Sequence, residues 1–114
     1  MPENLSMNYK VKTIPNFDKA LKHLAKKYVS LKLEYIALLD NLEVEPKQGI
    51  NLGNICYKIR VVIASKNKGK SGGATVITHI LIRDKTVFLL DTFDKSEQEN
   101  IDDKELLALI KEIK

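Results

Sequence analysis

The stretch Asn54–Thr92, NICYKIRVVIASKNKGKSGGATVITHILIRDKTVFLLDT, decides the fold. Its first part alternates. Ile55, Tyr57, Ile59, Val61 and Ile63 fall on one side of an extended chain, and Cys56, Lys58, Arg60 and Val62 on the other. That period of two is the pattern of a half-buried strand. Ser65 to Gly73 holds three glycines and three lysines and reads as a loop. Ala74 to Ile82 is apolar and β-branched, a second strand. Arg83-Asp84-Lys85 makes a turn, and Thr86 to Thr92 makes a third strand. Three consecutive strands with short connections predict an antiparallel meander.

Helical patterns flank this core. Upstream, Asn8 to Ile14 sets Tyr9, Val11 and Thr13 against Lys10 and Lys12, as a short first strand would. Pro15-Asn16 opens a helix in which Phe17, Leu21, Leu24 and Tyr28 recur at spacings of three and four. After Val29-Ser30, a second helix runs from about Leu31 to Leu42, and Pro46 and Gly49 close the pair. Downstream, Asp102 and Glu105 form a capping-box pattern, Ile101 is placed to staple onto Leu106, and Leu106, Leu109, Ile110 and Ile113 supply an apolar stripe. The expected fold is thus α+β in the order β-αα-β-β-β-α. An antiparallel sheet carries a helical hairpin on one face and ends in a C-terminal helix, and its other face is left for function or for a partner.

The chain has 114 residues, within the range of one domain, and 44% of them are hydrophobic, enough for a real core. With 6% aromatic residues and no Trp, that core is expected to be aliphatic. Residues 1–7 read as a disordered leader, with Met7 an alternative start, and residues 8–114 as a single domain. Apolar runs reach only about four residues, as in Val61-Val62-Ile63-Ala64, against about 20 for a membrane span. No signal-peptide pattern precedes them. The lone Cys56 excludes an intrachain disulfide. A cytoplasmic protein with no membrane partner is expected.

Charge is distributed unevenly. The net charge is +4, yet residues 46–83 carry Lys47, Lys58, Arg60, Lys66, Lys68, Lys70 and Arg83 with no acid, whereas residues 84–114 carry nine acids and five lysines. A positive middle of this kind suits a phosphate-bearing partner. Lys58 and Arg60 stand two apart on one strand face, about 6.5 Å between Cα atoms. That is close to the spacing of adjacent nucleic-acid phosphates, although an ordinary exposed strand face has the same pattern. The segment Ser65–Gly73 is either a flexible basic arm or a plain solvated hairpin loop.

Other motifs fail on context. Gly69-Lys70-Ser71 lacks the P-loop glycine five residues earlier, where Ala64 stands, and a strand rather than a helix follows. No His, Cys or carboxylate cluster has metal-ligand spacing, so neither metal nor cofactor is expected. Cys56 has no His–Asp constellation and reads as an inert thiol. His79 is an acid–base candidate only if its strand face is open.

At these residues the sequence resembles the RelE-type toxins of bacterial toxin–antitoxin modules, within the RelE/ParE superfamily. The resemblance covers nearly the whole chain from Met7. It rests on Phe17 to Tyr28 with its Leu-Ala-Lys-Lys-Tyr ending, on Tyr57-Lys58-Ile59-Arg60, on the Ser65–Gly73 loop with Val76-Ile77, on Leu89-Leu90 through Phe93-Asp94-Lys95-Ser96-Glu97, and on the acidic start of the last helix. It implies a metal-independent mRNA interferase. Such an endoribonuclease enters the ribosomal A site, where the RNA 2′-hydroxyl attacks the adjacent phosphorus and basic side chains neutralise the phosphate. Lys58 and Arg60 match the family's basic strand positions, and Lys95 matches the lysine of its Tyr-Asp-Lys segment. Lys66, Lys68, Lys70 and Arg83 would contact RNA. The expected partners are mRNA, ribosomal RNA and a cognate antitoxin, acidic and partly disordered.

Two positions depart from the family pattern. Thr75 stands where relatives commonly carry Arg after the Gly-Gly-Ala step, and Phe93 stands where they commonly carry Tyr. The first removes a phosphate ligand and the second a hydroxyl. A catalytically weak or inactive RelE-like binding module therefore stays open as an alternative, as does a ParE-like inhibitor of DNA gyrase, because fold alone does not assign a target.

Overall fold

The structure, a computed structural model, describes residues 8–64 and 73–113. The expected leader at 1–7 and the lysine-bearing loop at 65–72 lie outside the described residues. The elements run β1 (Lys10–Thr13), α1 (Pro15–Lys27), α2 (Leu31–Val44), β2 (Ile50–Gly53), β3 (Cys56–Val62), β4 (Gly73–Leu81), a 3-10 turn (Ile82–Asp84), β5 (Thr86–Asp94) and α3 (Asp103–Ile110).

The three expected late strands form the antiparallel meander β3–β4–β5. The sheet is larger and mixed, with strand order β1-β5-β4-β3-β2. β1 joins one edge parallel to β5, and β2 joins the other edge antiparallel to β3. The chain crosses the sheet from one edge to the other through α1 and α2, so both edge strands come from the N-terminal half.

The β2–β3 hairpin corrects the reading of Asn54–Ala64 as one strand. Asn54 and Ile55 both have positive φ, 55° and 58°. Two successive left-handed residues make the tight turn whose twist suits a hairpin. Asn tolerates that conformation, but a β-branched residue does not. Ile55 is largely exposed, so packing offsets little of the strain. Ile55→Gly is expected to stabilise the fold by about 1 kcal/mol, read as a higher urea midpoint at unchanged slope; a lower midpoint would show that Ile55 has a packing role.

Two faces follow from the strand register. One contains the rows Ile59–Val76–Thr92 and Val61–Ala74–Asp94; the other contains Lys58–Ile77–Asp91, Arg60–Thr75–Phe93 and Cys56–His79–Phe88. The helical hairpin covers the first. Phe17 of α1 stacks on Tyr35 of α2, and the Tyr35 hydroxyl bonds to Thr92. Burial pushes that phenol up to about 12.

The second face is not left open, as had been expected. α3 begins where the Asp102 carboxylate accepts the Glu105 N–H at 2.8 Å, the expected cap. It buries Leu106 and Leu109, and Ile110 and Ile113 line one cavity with His79 and Leu81. β4 is buried on both faces from Gly73 to Ile80, which explains why the neighbours Val76 and Ile77 are both apolar and do not alternate with charged residues. Among the described residues no helix is long and apolar enough to cross a membrane.

Candidate functional site

α3 reaches the end of the second face that holds His79. The end holding Arg60 and Thr75 remains a groove. A polar cavity of about 190 Å³ is lined by Lys58, Arg60, Thr75, Lys95, Glu99 and Asn100. A second cavity of about 220 Å³ shares Lys58, Arg60 and Thr75 and extends to Gly49 and Ile50 of the β2 edge. The two together make a groove with the cations Lys58 and Arg60 at its centre.

Each cation has its own support. Arg60 and Lys58 project from β3 at positions two apart. The Lys58 ammonium donates to Asn100 Oδ1 at 2.8 Å, which fixes its direction without neutralising it. Gly73 lies under the Arg60 stem, where a Cβ would stand 3.0 Å from Arg60 Cδ. Gly49 has φ +95°, and a Cβ there would stand 2.2 Å from the Lys58 carbonyl oxygen. Gly49→Ala therefore meets both a forbidden φ and a backbone clash. It is expected to cost about 1–3 kcal/mol and to disturb Lys58 as well, measured by thermal unfolding alongside activity. An unchanged unfolding midpoint would contradict this packing.

Lys95 arrives from the far end of β5, and the turn that carries it is built around Asp94. Asp94 is fully buried. Its Oδ2 accepts the Tyr28 hydroxyl at 2.5 Å, and its Oδ1 accepts the Ser96 N–H at 3.0 Å. The Asp94 carbonyl accepts the N–H groups of Glu97 and Gln98 at 2.9 and 3.1 Å, while Lys95 N–H donates to the Gly73 carbonyl at 3.2 Å. Lys27 bridges to Glu97 at 3.0 Å and lies 3.8 Å from Asp94. The bond to Glu97 raises the pKa of Lys27. Two stretches distant in sequence, Lys27-Tyr28 and Asp94–Glu97, are thus bonded into one support for Lys95.

Among the described residues, Lys58, Arg60 and Lys95 form no ion pair. Three cations converging on one polar groove repel each other and stand ready for an anion. Among the described residues that line the groove, Glu99 is the lone carboxylate. No pattern in the sequence singled out Glu99 or Asn100, whereas the Asp-Lys-Ser spacing at 94–96 is a recognisable side-chain-capped turn. Glu34 also supports the region. Its Oε2 accepts the Ala64 N–H at 2.7 Å, at the point where the lysine segment leaves β3.

The remaining candidates lie elsewhere. His79 is buried, its Nδ1 is 3.4 Å from Cys56 Sγ, and burial lowers its pKa. The groove does not include it. Cys56 is fully buried, and burial pushes its thiol up to about 11, the environment of an unreactive thiol. Arg83 is exposed in the 3-10 turn at the opposite end of β4 from Thr75. Lys66, Lys68 and Lys70 lie outside the described residues. Thr75 lines both cavities and is buried, and Phe93 follows it in the Arg60 row, also buried. Among the described residues no group of three or more His, Cys, Asp and Glu side chains could hold a metal ion.

Comparison with known proteins agrees with the fold. A solved structure of the Escherichia coli toxin RelE, a mutant with two arginines changed to alanine, in the free state, is similar with a TM-score of 0.61. The sequences are 16% identical, and the match covers 95% of this chain and all of that one. A comparison with curated protein sequences gives no match. Residues 22–113 match the family described as RelE toxin of the RelE / RelB toxin-antitoxin system. That match spans well over half of the sequence, and the chain belongs to this family of toxins.

Proposed function

We propose that this chain is a ribosome-dependent mRNA endonuclease, the toxin half of a toxin–antitoxin module. The observation that carries the reading is the groove itself, in which Lys58, Arg60 and Lys95 converge with no ion pair among the described residues. Lys58 and Arg60 hold the scissile phosphate and stabilise the charge that builds up on it as the 2′-hydroxyl attacks. Lys95 approaches from the other wall. Lys66, Lys68, Lys70 and Arg83 add contacts to RNA phosphates, recognised by shape and charge. Such chemistry needs no metal, because fixed side-chain cations do the neutralising. Induced expression should arrest growth and leave truncated mRNAs on translating ribosomes. Normal growth with intact mRNA at confirmed expression would overturn the reading.

The family implies an antitoxin partner. An acidic, partly disordered segment fits the groove by charge, and its binding should weaken as salt rises and compete with RNA for Lys58 and Arg60. Calorimetric titration at two salt concentrations tests this. Salt-independent binding, with RNA and partner bound together, would place the partner elsewhere.

One observation favours a second reading, a RelE-like binding module. The Arg60 row continues with a hydroxyl at Thr75 and a plain phenyl ring at Phe93, so it adds no second guanidinium and no phenol to the groove. If that reading holds, the parent chain cleaves poorly and Thr75→Arg with Phe93→Tyr raises the rate. If the parent cleaves well and the double change adds nothing, the first reading stands. Inhibition of gyrase supercoiling by the chain would instead point to the ParE-like target.

A further inference from the structure

We propose that Glu99 is the general base of the cleavage reaction, an inference that rests on the endonuclease reading of the groove. Its placement is what calls for an explanation. A carboxylate beside a bound phosphate opposes phosphate binding by like-charge repulsion, yet Glu99 lines the same 190 Å³ cavity as Lys58, Arg60 and Lys95. It is exposed, and no ion pair to any of these cations consumes it. Its neighbour Asn100 is already committed to Lys58. The segment 95–100 therefore brings one wall of the groove an acceptor of protons as well as a cation.

The chemistry requires such an acceptor. The ribose 2′-hydroxyl is a poor nucleophile until its proton is removed, and a carboxylate is the acceptor that this groove adds to its cations. Glu99 accepts that proton as O2′ forms its bond to phosphorus. The bond from phosphorus to O5′ breaks, and the Lys95 ammonium gives a proton to the leaving oxygen. The products are a 2′,3′-cyclic phosphate and a 5′-hydroxyl end. The proton held by Glu99 and the one lost by Lys95 then exchange with water, which restores the starting state.

The sign of one substitution separates this role from a bystander role. Glu99→Gln keeps the size of the side chain and removes a negative charge from a phosphate site. A bystander carboxylate predicts tighter RNA binding and an equal or faster reaction. A general base predicts equal or tighter binding together with a loss of about 10²–10⁴-fold in the cleavage rate constant. The measurement is single-turnover cleavage of mRNA on programmed ribosomes, with ribosome binding measured in parallel, for the parent chain, Glu99→Gln, Glu99→Asp and Lys58→Ala. The expected result is a large loss in Glu99→Gln with binding retained, and partial recovery in Glu99→Asp. A parent chain that cleaves, a Lys58→Ala variant that is slow and a Glu99→Gln variant that is as fast as the parent would overturn the base while keeping the endonuclease. No cleavage by the parent chain would overturn both.

Discussion

Replacing Lys58 or Arg60 with alanine is expected to slow mRNA cleavage by about 10²–10³-fold and to leave the fold as stable as before. The reason for the first effect is geometric. Both side chains stand at the centre of the groove, where the two cavities overlap, so each would meet the same phosphate or its neighbour. A fixed cation acts most strongly on charge that develops in the transition state, and water entering the space left by truncation does not replace it. The second effect follows from the surroundings. Arg60 is exposed, and Lys58 has its side-chain bond to Asn100 at the surface. Removing one of three like charges also relieves repulsion, so stability should change by no more than about 0.5 kcal/mol. Cleavage of programmed ribosomes together with urea unfolding reads both quantities. Full activity in both alanine variants would remove the groove as the site, and a large stability loss would show that these residues are structural.

Asp94→Ala should show the opposite pattern, a loss of stability of about 2–6 kcal/mol from the two hydrogen bonds it removes, with activity failing as a consequence. Asp94 is fully buried and serves the Tyr28 hydroxyl, the Ser96 N–H and the Lys27 ammonium together. Truncation takes the shared acceptor away from both donors, at a cost of about 1–3 kcal/mol for each. Against a total stability on the order of 5–15 kcal/mol, that loss is large. Asp94→Asn keeps an acceptor for Ser96 N–H and should cost clearly less. The comparison is made by urea unfolding of the two variants. Equal and small losses would mean that the turn carrying Lys95 holds together without this carboxylate.

Much of the fold could be read from the sequence because its signals are local. The period-two alternation of Tyr57 to Val62 gave β3, and the Asp102–Glu105 cap gave the start of α3 to the residue. β2 escaped because Ile50–Gly53 is four residues long, ends in glycine and follows Pro46 and Gly49, all of which read as loop. Its hairpin turn escaped because Ile55 occupies a backbone conformation that its side chain argues against. The parallel pairing of β1 with β5 joins residues more than seventy positions apart, and no local pattern encodes it.

The groove was legible on one strand and hidden on the other segments. Alternation placed Cys56, Lys58 and Arg60 on one face, and they do share it. What alternation cannot say is which end of a face is covered. α3 meets the sheet beside His79, whereas Arg60 stays exposed in the groove. Glu99 and Asn100 lie in the connection from Asp94 to Asp102. Their role depends on its path across the sheet, and composition alone shows only one more acid in an acidic segment.

The central claim is that the groove formed by Lys58, Arg60 and Lys95 cuts mRNA through the attack of its own 2′-hydroxyl. The most direct measurement uses purified chain with ribosomes holding an mRNA whose A-site codon carries either ordinary ribose or a single 2′-deoxy substitution at the scissile nucleotide. The account predicts rapid cleavage of the ordinary message, a 2′,3′-cyclic phosphate at the new end, and no cut at the deoxy position. Cleavage of the deoxy message at the same place and rate, or an intact ordinary message after ribosome binding is confirmed, would contradict it.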